Sequence, residues 1–189
     1  MPGNRAIYDR AMDQSREASQ QARWDDALKS AVRALNEFPQ DVEARILAAV
    51  ALFNTGKSSQ SLQIFEELRA AEPNNPFYHE YIARNHERAG NTRAAVQSYI
   101  DMAALHTDRK MTAKVVESLR AVLRLQPDND EQRLRLAGLL EETGAGAAAG
   151  TEYFILAQHA QAQASLILLP NTPKKLCATT PTAAKPKNS

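Results

Sequence analysis

Apolar and small side chains recur along this chain in columns with a period of about 34 residues, long enough for two helices and their turns. Ala27 falls on Ser61 and Ala95, Leu28 on Leu62 and Val96, Ala31 on Phe65 and Tyr99, and Ala34 on Leu68 and Met102. Within each block the spacing is i, i+1, i+4, i+7, the face of an amphipathic helix. Gly56 falls on Gly90 and Pro39 on Pro73. Each block therefore predicts a helix, a turn and a second helix. A turn such as Asn54-Thr55-Gly56-Lys57 closes the first helix, because glycine takes up the left-handed backbone cheaply. Proline stops the second helix at Pro39, Pro73 and Pro127, where a following Asp or Asn is placed to cap the next one. The small column at Ala27, Ser61 and Ala95 lets two backbones approach. Trp24, Phe65, Tyr99 and Tyr153 are the large side chains expected to wedge between neighbouring helices.

The period breaks once. Pro127 follows Pro73, and Gly144 follows Gly90, by one full period plus a segment long enough for a single helix and its turn. Val115, Leu119 and Val122 make a good second helix, yet the segment before it, Tyr99 to His106, is already the second helix of the preceding block. One helix near residues 93–107 is thus expected to serve two units, with Tyr99, Met102, Ala103 and His106 as its apolar stripe. A further unit follows through Leu136, Ala137, Leu140, Gly144, Ala149, Tyr153 and Leu156, with its turn read across the Gly- and Ala-rich residues 144–150. From Ser165 the pattern dissolves into a segment with four lysines and no acid. Residues 165–189 read as a flexible, disordered tail. A second reading stays open: back-translation of residues 171–182 in a shifted frame permits the end of another repeat.

Composition narrows the function. The 189 residues are 43% hydrophobic and 6% aromatic, and 23 basic side chains against 22 acidic ones leave a net charge of +1. No overall field favours nucleic acid or an anionic membrane. One cysteine, Cys177, excludes an internal disulfide and any cluster needing two thiolates. No stretch approaches the roughly 20 apolar residues of a membrane span or the apolar run of an export signal, so the expectation is a soluble, cytoplasmic protein. His79 and His86 lie two helical turns apart, about 10.5 Å along a helix and too far for one metal ion. His106 and His159 read as helix-surface or interhelical residues. Asp128-Asn129-Asp130-Glu131 lacks the glycine of a calcium loop, with Arg133 at that position, and fits helix capping; Asp25-Asp26 fits a first helical turn. No phosphate-binding loop or nucleophile motif is present. We therefore expect no catalytic residues, no metal site and no cofactor.

The length of the period, the glycine turn, the small-residue column and the terminal Pro-Asn/Asp resemble the tetratricopeptide repeat family. The resemblance implies an all-α, right-handed superhelical solenoid of antiparallel helix pairs over residues 1–164. Its units are 8–41, 42–75, 76–109, an overlapping 96–129, and 130–163. First helices in that family line a concave groove that holds a segment of a partner protein. Carried onto this sequence, the groove residues are Met12, Arg16, Ile46, Val50, Phe53, Asn54, Glu80, Tyr81, Arg84, Arg88 and Leu134. Chaperone-binding members clamp a terminal carboxylate with lysines and asparagines. The matching positions here are Met12, Arg16, Leu47, Phe77 and Tyr81, a departure that puts that specificity in doubt. Arg84 and Arg88, one turn apart beside Tyr81, are instead placed to hold an acidic side chain. The plainer alternatives stay open: the arginines as a solvated face, and Ile46, Val50 and Phe53 as core. The implied function is a non-catalytic scaffold or adaptor binding another protein or peptide, with no specific nucleic acid and no membrane. The alternatives are a self-associating subunit of a larger assembly and, third, a regulatory domain of an enzyme.

Overall fold

Capping and turn chemistry divide the chain into helices before any packing is considered. The computed structural model describes residues 3–168. These form α1 (Arg5–Gln20), α2 (Trp24–Glu37), α3 (Val42–Asn54), α4 (Ser58–Ala71), α5 (Pro76–Arg88), α6 (Thr92–Asp108), α7 (Thr112–Leu125), α8 (Asp130–Glu142) and α9 (Gly146–Leu168), with no strand among the described residues. The side chains of Asn4, Asp41, Asn75 and Asn129 accept hydrogen bonds from backbone N–H groups in the first turns of α1, α3, α5 and α8. Each satisfies a donor that the helix leaves orphaned. Asp25 and Asp26 lie in the first turn of α2, as expected.

Helices α2, α4, α6 and α7 start without a side-chain cap, each directly after a tight turn. The turn residues with positive φ are Ala22, Gly56, Gly90, Lys110 and Gly144. They repeat at the sequence period except between Gly90 and Lys110, where the step holds one helix instead of two. In every one, an N–H reaches back to close the preceding helix: Arg23 to Ala18, Lys57 to Leu52, Asn91 to His86, Met111 to His106 and Ala145 to Leu140, all at 2.8–2.9 Å. This bond ends a helix through a left-handed residue. By contrast α2, α4 and α7 run out into extended backbone at Phe38, Glu72 and Gln126, each directly before a proline.

Helix α6 opens like a second helix and closes like a first one. It starts after the Gly90 turn and ends at the Lys110 turn, without a proline. This is the odd helix that the break in period predicts. It packs against α5 on one side and α7 on the other, and consecutive helices pack against each other throughout the stack. The core is divided accordingly. Phe65 and Leu68 of α4 meet Tyr78 and Ile82 of α5; Val96, Tyr99 and Met102 of α6 meet Ala83 and Val122 on either side; Leu119, Leu136 and Leu140 join Ala149. The small column is fully enclosed at Ala27, Ser61 and Ala95.

Three local expectations change. Residues 146–150 are the first turn of α9 rather than a loop, and α9 runs past Ser165 to Leu168. Tyr153 is exposed, its hydroxyl on Glu141 at 3.1 Å, and Trp24 is half-buried, so neither wedges as Phe65 and Tyr99 do. The C-terminal tail reading, from residue 169 on, and Cys177 lie outside the described residues. No helix among those described is long and apolar enough to cross a membrane.

Candidate functional site

Helix α5 carries Phe77, Glu80, Tyr81, Arg84 and Arg88 at helical spacing on one stripe. Asn75 caps its start and Pro76 occupies its first turn, fixing where that stripe begins. Under the stripe lies a cluster of rings. Tyr81 stacks on Phe65 of α4 at 4.7 Å and 17°, meets Phe53 of α3 edge-on at 5.4 Å, and meets Phe77 at 4.9 Å. Ile46 and Val50 of α3 are partly buried against the same core, which also contains Phe65, Tyr78 and Ile82. Burial raises the Tyr81 hydroxyl above its ordinary pKa, the neighbouring Glu80 adding to this and Arg84 opposing it.

The two arginines are held by these rings. The Arg84 guanidinium lies 4.7 Å from the Phe53 centroid and 5.2 Å from that of Tyr81, with Glu80 3.4 Å away. Arg88 lies 3.6 Å from the Phe53 centroid and donates to the Phe53 carbonyl. It therefore caps the C-terminal end of α3, where a cation is favoured by the helix dipole.

Of the residues read from the sequence, the fold brings Phe53, Glu80, Tyr81, Arg84 and Arg88 together over Ile46 and Val50. Phe53 itself is 2% exposed and contributes as the bed of the arginines. The Asn54 amide donates to the Val50 carbonyl one turn back in its own helix at 2.8 Å. Met12 is 1% exposed and packs with Tyr8, Ala34 and Ala44, so it offers no surface. Arg16 bridges Asp13 and Glu43 at 3.0 and 2.8 Å, tying α1 to α3. Leu134 is exposed, but on α8, which packs on α7 and α9. The groove set leaves out Phe77, although its place one turn before Tyr81 is the signal that would include it.

Beside the stripe, α5, α6 and α7 enclose a cleft of about 370 Å³ lined by Phe77, Glu80, Tyr99, Met102, His106 and Lys114, among others. Lys114 pairs with Glu117 at 2.7 Å. Tyr99 turns its hydroxyl onto Glu87 at 2.6 Å, and burial followed by that contact raises its pKa. Glu87 also takes Arg124 of α7 at 2.8 and 2.9 Å, joining α5 to α7 directly. No group of three or more His, Cys, Asp or Glu side chains among the described residues is placed to hold a metal ion.

Residues 18–84 match the family model described as Tetratricopeptide repeat. No curated protein matches the sequence significantly. Among solved structures, the chain is similar to PcrH from Pseudomonas aeruginosa, with 16% identity over 65% of this chain and 93% of that one and a TM-score of 0.56. It is also similar to a thermophilic tetratricopeptide-repeat protein of Thermus thermophilus, with 20% identity over 85% and 95% of the two chains and a TM-score of 0.47. MamA of Desulfovibrio magneticus RS-1 matches at 12% identity over 86% and 99%, with a TM-score of 0.47. The likeness to PcrH is one of fold.

Proposed function

Taking the chain as the tetratricopeptide-repeat protein that its helix pairs and matched residues make it, we propose that it is a non-catalytic scaffold whose α3–α5 face binds a segment of a partner protein. The observation that carries this reading is the α5 stripe, in which an accessible guanidinium is laid over aromatic rings. The rings hold Arg84 in one place and remove water from one of its faces, while its edge carries a long, half-exposed pair with Glu80 at 3.4 Å that a partner carboxylate would share or displace. A partner segment with an acidic side chain flanked by apolar ones fits that surface, and Phe77 supplies exposed apolar area next to it. Arg88, already bonded to the end of α3, belongs to the scaffold rather than to recognition.

The test is affinity purification from the native cell with the unmodified chain, Arg84→Glu, and a control reversal at Lys29, an exposed residue of α2. Partners bound on this face are lost with Arg84→Glu, by about 30-fold or more for a charge reversal at a charge-assisted contact. They are retained with Lys29→Glu, and the helical circular-dichroism signal stays unchanged in both. Retention of every partner by Arg84→Glu refutes the reading. A second reading, self-association, is favoured by the exposure of Leu134, Tyr153 and Phe154 on the last helix pair.

A further inference from the structure

We infer that α9 pairs with α9 of a second copy of this chain, antiparallel and about a two-fold axis near Ala157. The reason begins with an internal comparison. Ser61, Phe65 and Leu68 of α4 correspond to Ala95, Tyr99 and Met102 of α6 and, one slipped interval later, to Ala149, Tyr153 and Leu156 of α9. In α4 and α6 all three positions are buried, and the last two share a core with the helix that follows: Phe65 and Leu68 with Tyr78 and Ile82 of α5, Tyr99 and Met102 with Val122 of α7. In α9 only Ala149, packed on α8, is buried; Tyr153 is 39% exposed and Leu156 half-buried. Helix α9 therefore presents the seat that α4 and α6 present, and among the described helices α8 alone packs on it.

The exposed residues of α9 select the occupant. Tyr153, Phe154, Ala157, Ala160 and Ala164 are all exposed and follow i, i+1, i+4, i+7, i+11 spacing, one stripe of the helix. Rings stand at one end of this stripe and alanines at the other. A copy turned through 180° therefore lays its rings on the alanines of the first, large against small, which is the self-complementarity a two-fold interface requires. Antiparallel pairing also opposes the two helix dipoles. Charge does not resist it, because Glu152 is the one Asp, Glu, Lys or Arg in α9 and is held by Arg133 of α8 at 2.6 Å. His159 meets Asp130, the first residue of α8, so residues 160–168 run on past that helix for about 13 Å. The face of α1 is different. Its exposed positions include Asp9, Arg10, Asp13, Gln14 and Glu17, a polar end from which stacking on α9 would strip water. The pairing deepens the self-association reading above and rests on it; a dimer carries two Arg84 faces.

The experiment uses the full chain with Cys177→Ser and single new cysteines, oxidised in air at tens of micromolar and followed by sedimentation. Ala157→Cys, beside the axis, is expected to form a disulfide with its own copy. Ala164→Cys, about 20 Å from its counterpart in an antiparallel pair, and Gln14→Cys on α1 stay unlinked. In the chain without new cysteines, mass stops at the dimer, and Ala160→Glu weakens association about tenfold or more with the helical signal unchanged, since it sets a charge against the partner copy's rings. Linking of Ala164→Cys as readily as Ala157→Cys overturns the inference in favour of parallel helices. Linking through Gln14→Cys, or mass that grows beyond two copies, overturns it in favour of end-to-end stacking. A dimer indifferent to Ala160→Glu and unlinked by Ala157→Cys overturns it and leaves self-association to another surface. A monomer throughout, as expected where residues 169–189 or a different protein cover the stripe, overturns the inference and the self-association reading together. Capture through Arg84 is independent of each result.

Discussion

Two arginines one turn apart on α5 do different work because different groups lie beneath them. Arg88 bonds the last turn of α3, whereas Arg84 rests on rings and faces outward. His106 shows how neighbours decide a residue's behaviour in another way. Burial first, then Lys114 and Arg109, holds its pKa below the ordinary 6.5, with Glu117 and Glu80 pulling weakly the other way. As pH falls, the unfolded chain takes up this proton before the folded one does. Stability is therefore expected to decline as pH drops through about 6.5 and to level off only below the folded value. Urea midpoints between about pH 7.5 and about pH 5.5 should fall less steeply for His106→Gln than for the unmodified chain. An identical slope in the two proteins rules out this contribution.

The helices depend on five turns of the same shape, and two of those turns lack glycine. Lys110 holds φ +57° and Ala22 +54°, where an L side chain is strained by roughly 1 kcal/mol. Lys110→Gly should therefore stabilise the chain, by at most about 1 kcal/mol because glycine also loosens the unfolded state. A Cβ added at Gly90 or at Gly138 meets nothing within 4 Å, so steric room is the same at both positions. Only backbone conformation differs, since Gly90 has φ +72° and Gly138 lies inside α8. Gly90→Ala is expected to destabilise by about 1 kcal/mol and Gly138→Ala to stabilise by about 0.5–1 kcal/mol. Chemical denaturation of the pair, giving shifts of the same sign, would contradict the assignment of these turns. The missing glycine at 110 is also why α6 shows in sequence only as a lengthened interval between prolines rather than as a helix with a turn of its own.

At the scale of the whole molecule the stack is joined neighbour to neighbour, and α9 meets only α8 among the described helices. Helix α9 is tied to α8 by Arg133, which reaches Glu152 at 2.6 Å, and by His159 on Asp130 at 2.6 Å. Its other side leaves Phe154 63% exposed, with Tyr153 and the nearby Leu134 also open. A second copy pairing through this end is the expected outcome of the self-association reading. It predicts a sedimentation coefficient that rises with concentration in the tens of micromolar range, a range of modest interfaces, and that stays at the monomer value in Phe154→Asp. A chain that is monomeric throughout removes that reading and leaves the α5 face unaffected.

Periodicity, caps and the slipped repeat were legible in the residues alone because each is local. A glycine or proline states the backbone it needs, and a column of small side chains records where two helices meet. The same logic placed the odd helix within one residue of α6 at each end. Which stripe positions stay exposed was not local. Met12 and Phe53 share helical spacing with exposed residues, yet the neighbouring helices enclose them, and Arg88 is drawn onto a carbonyl of α3, two helices back along the chain. The cleft arose the same way, from α5, α6 and α7 meeting out of phase. Helical spacing shows that a side chain stands on a face; only the helices packed beside it decide whether that face is core, strap or open surface.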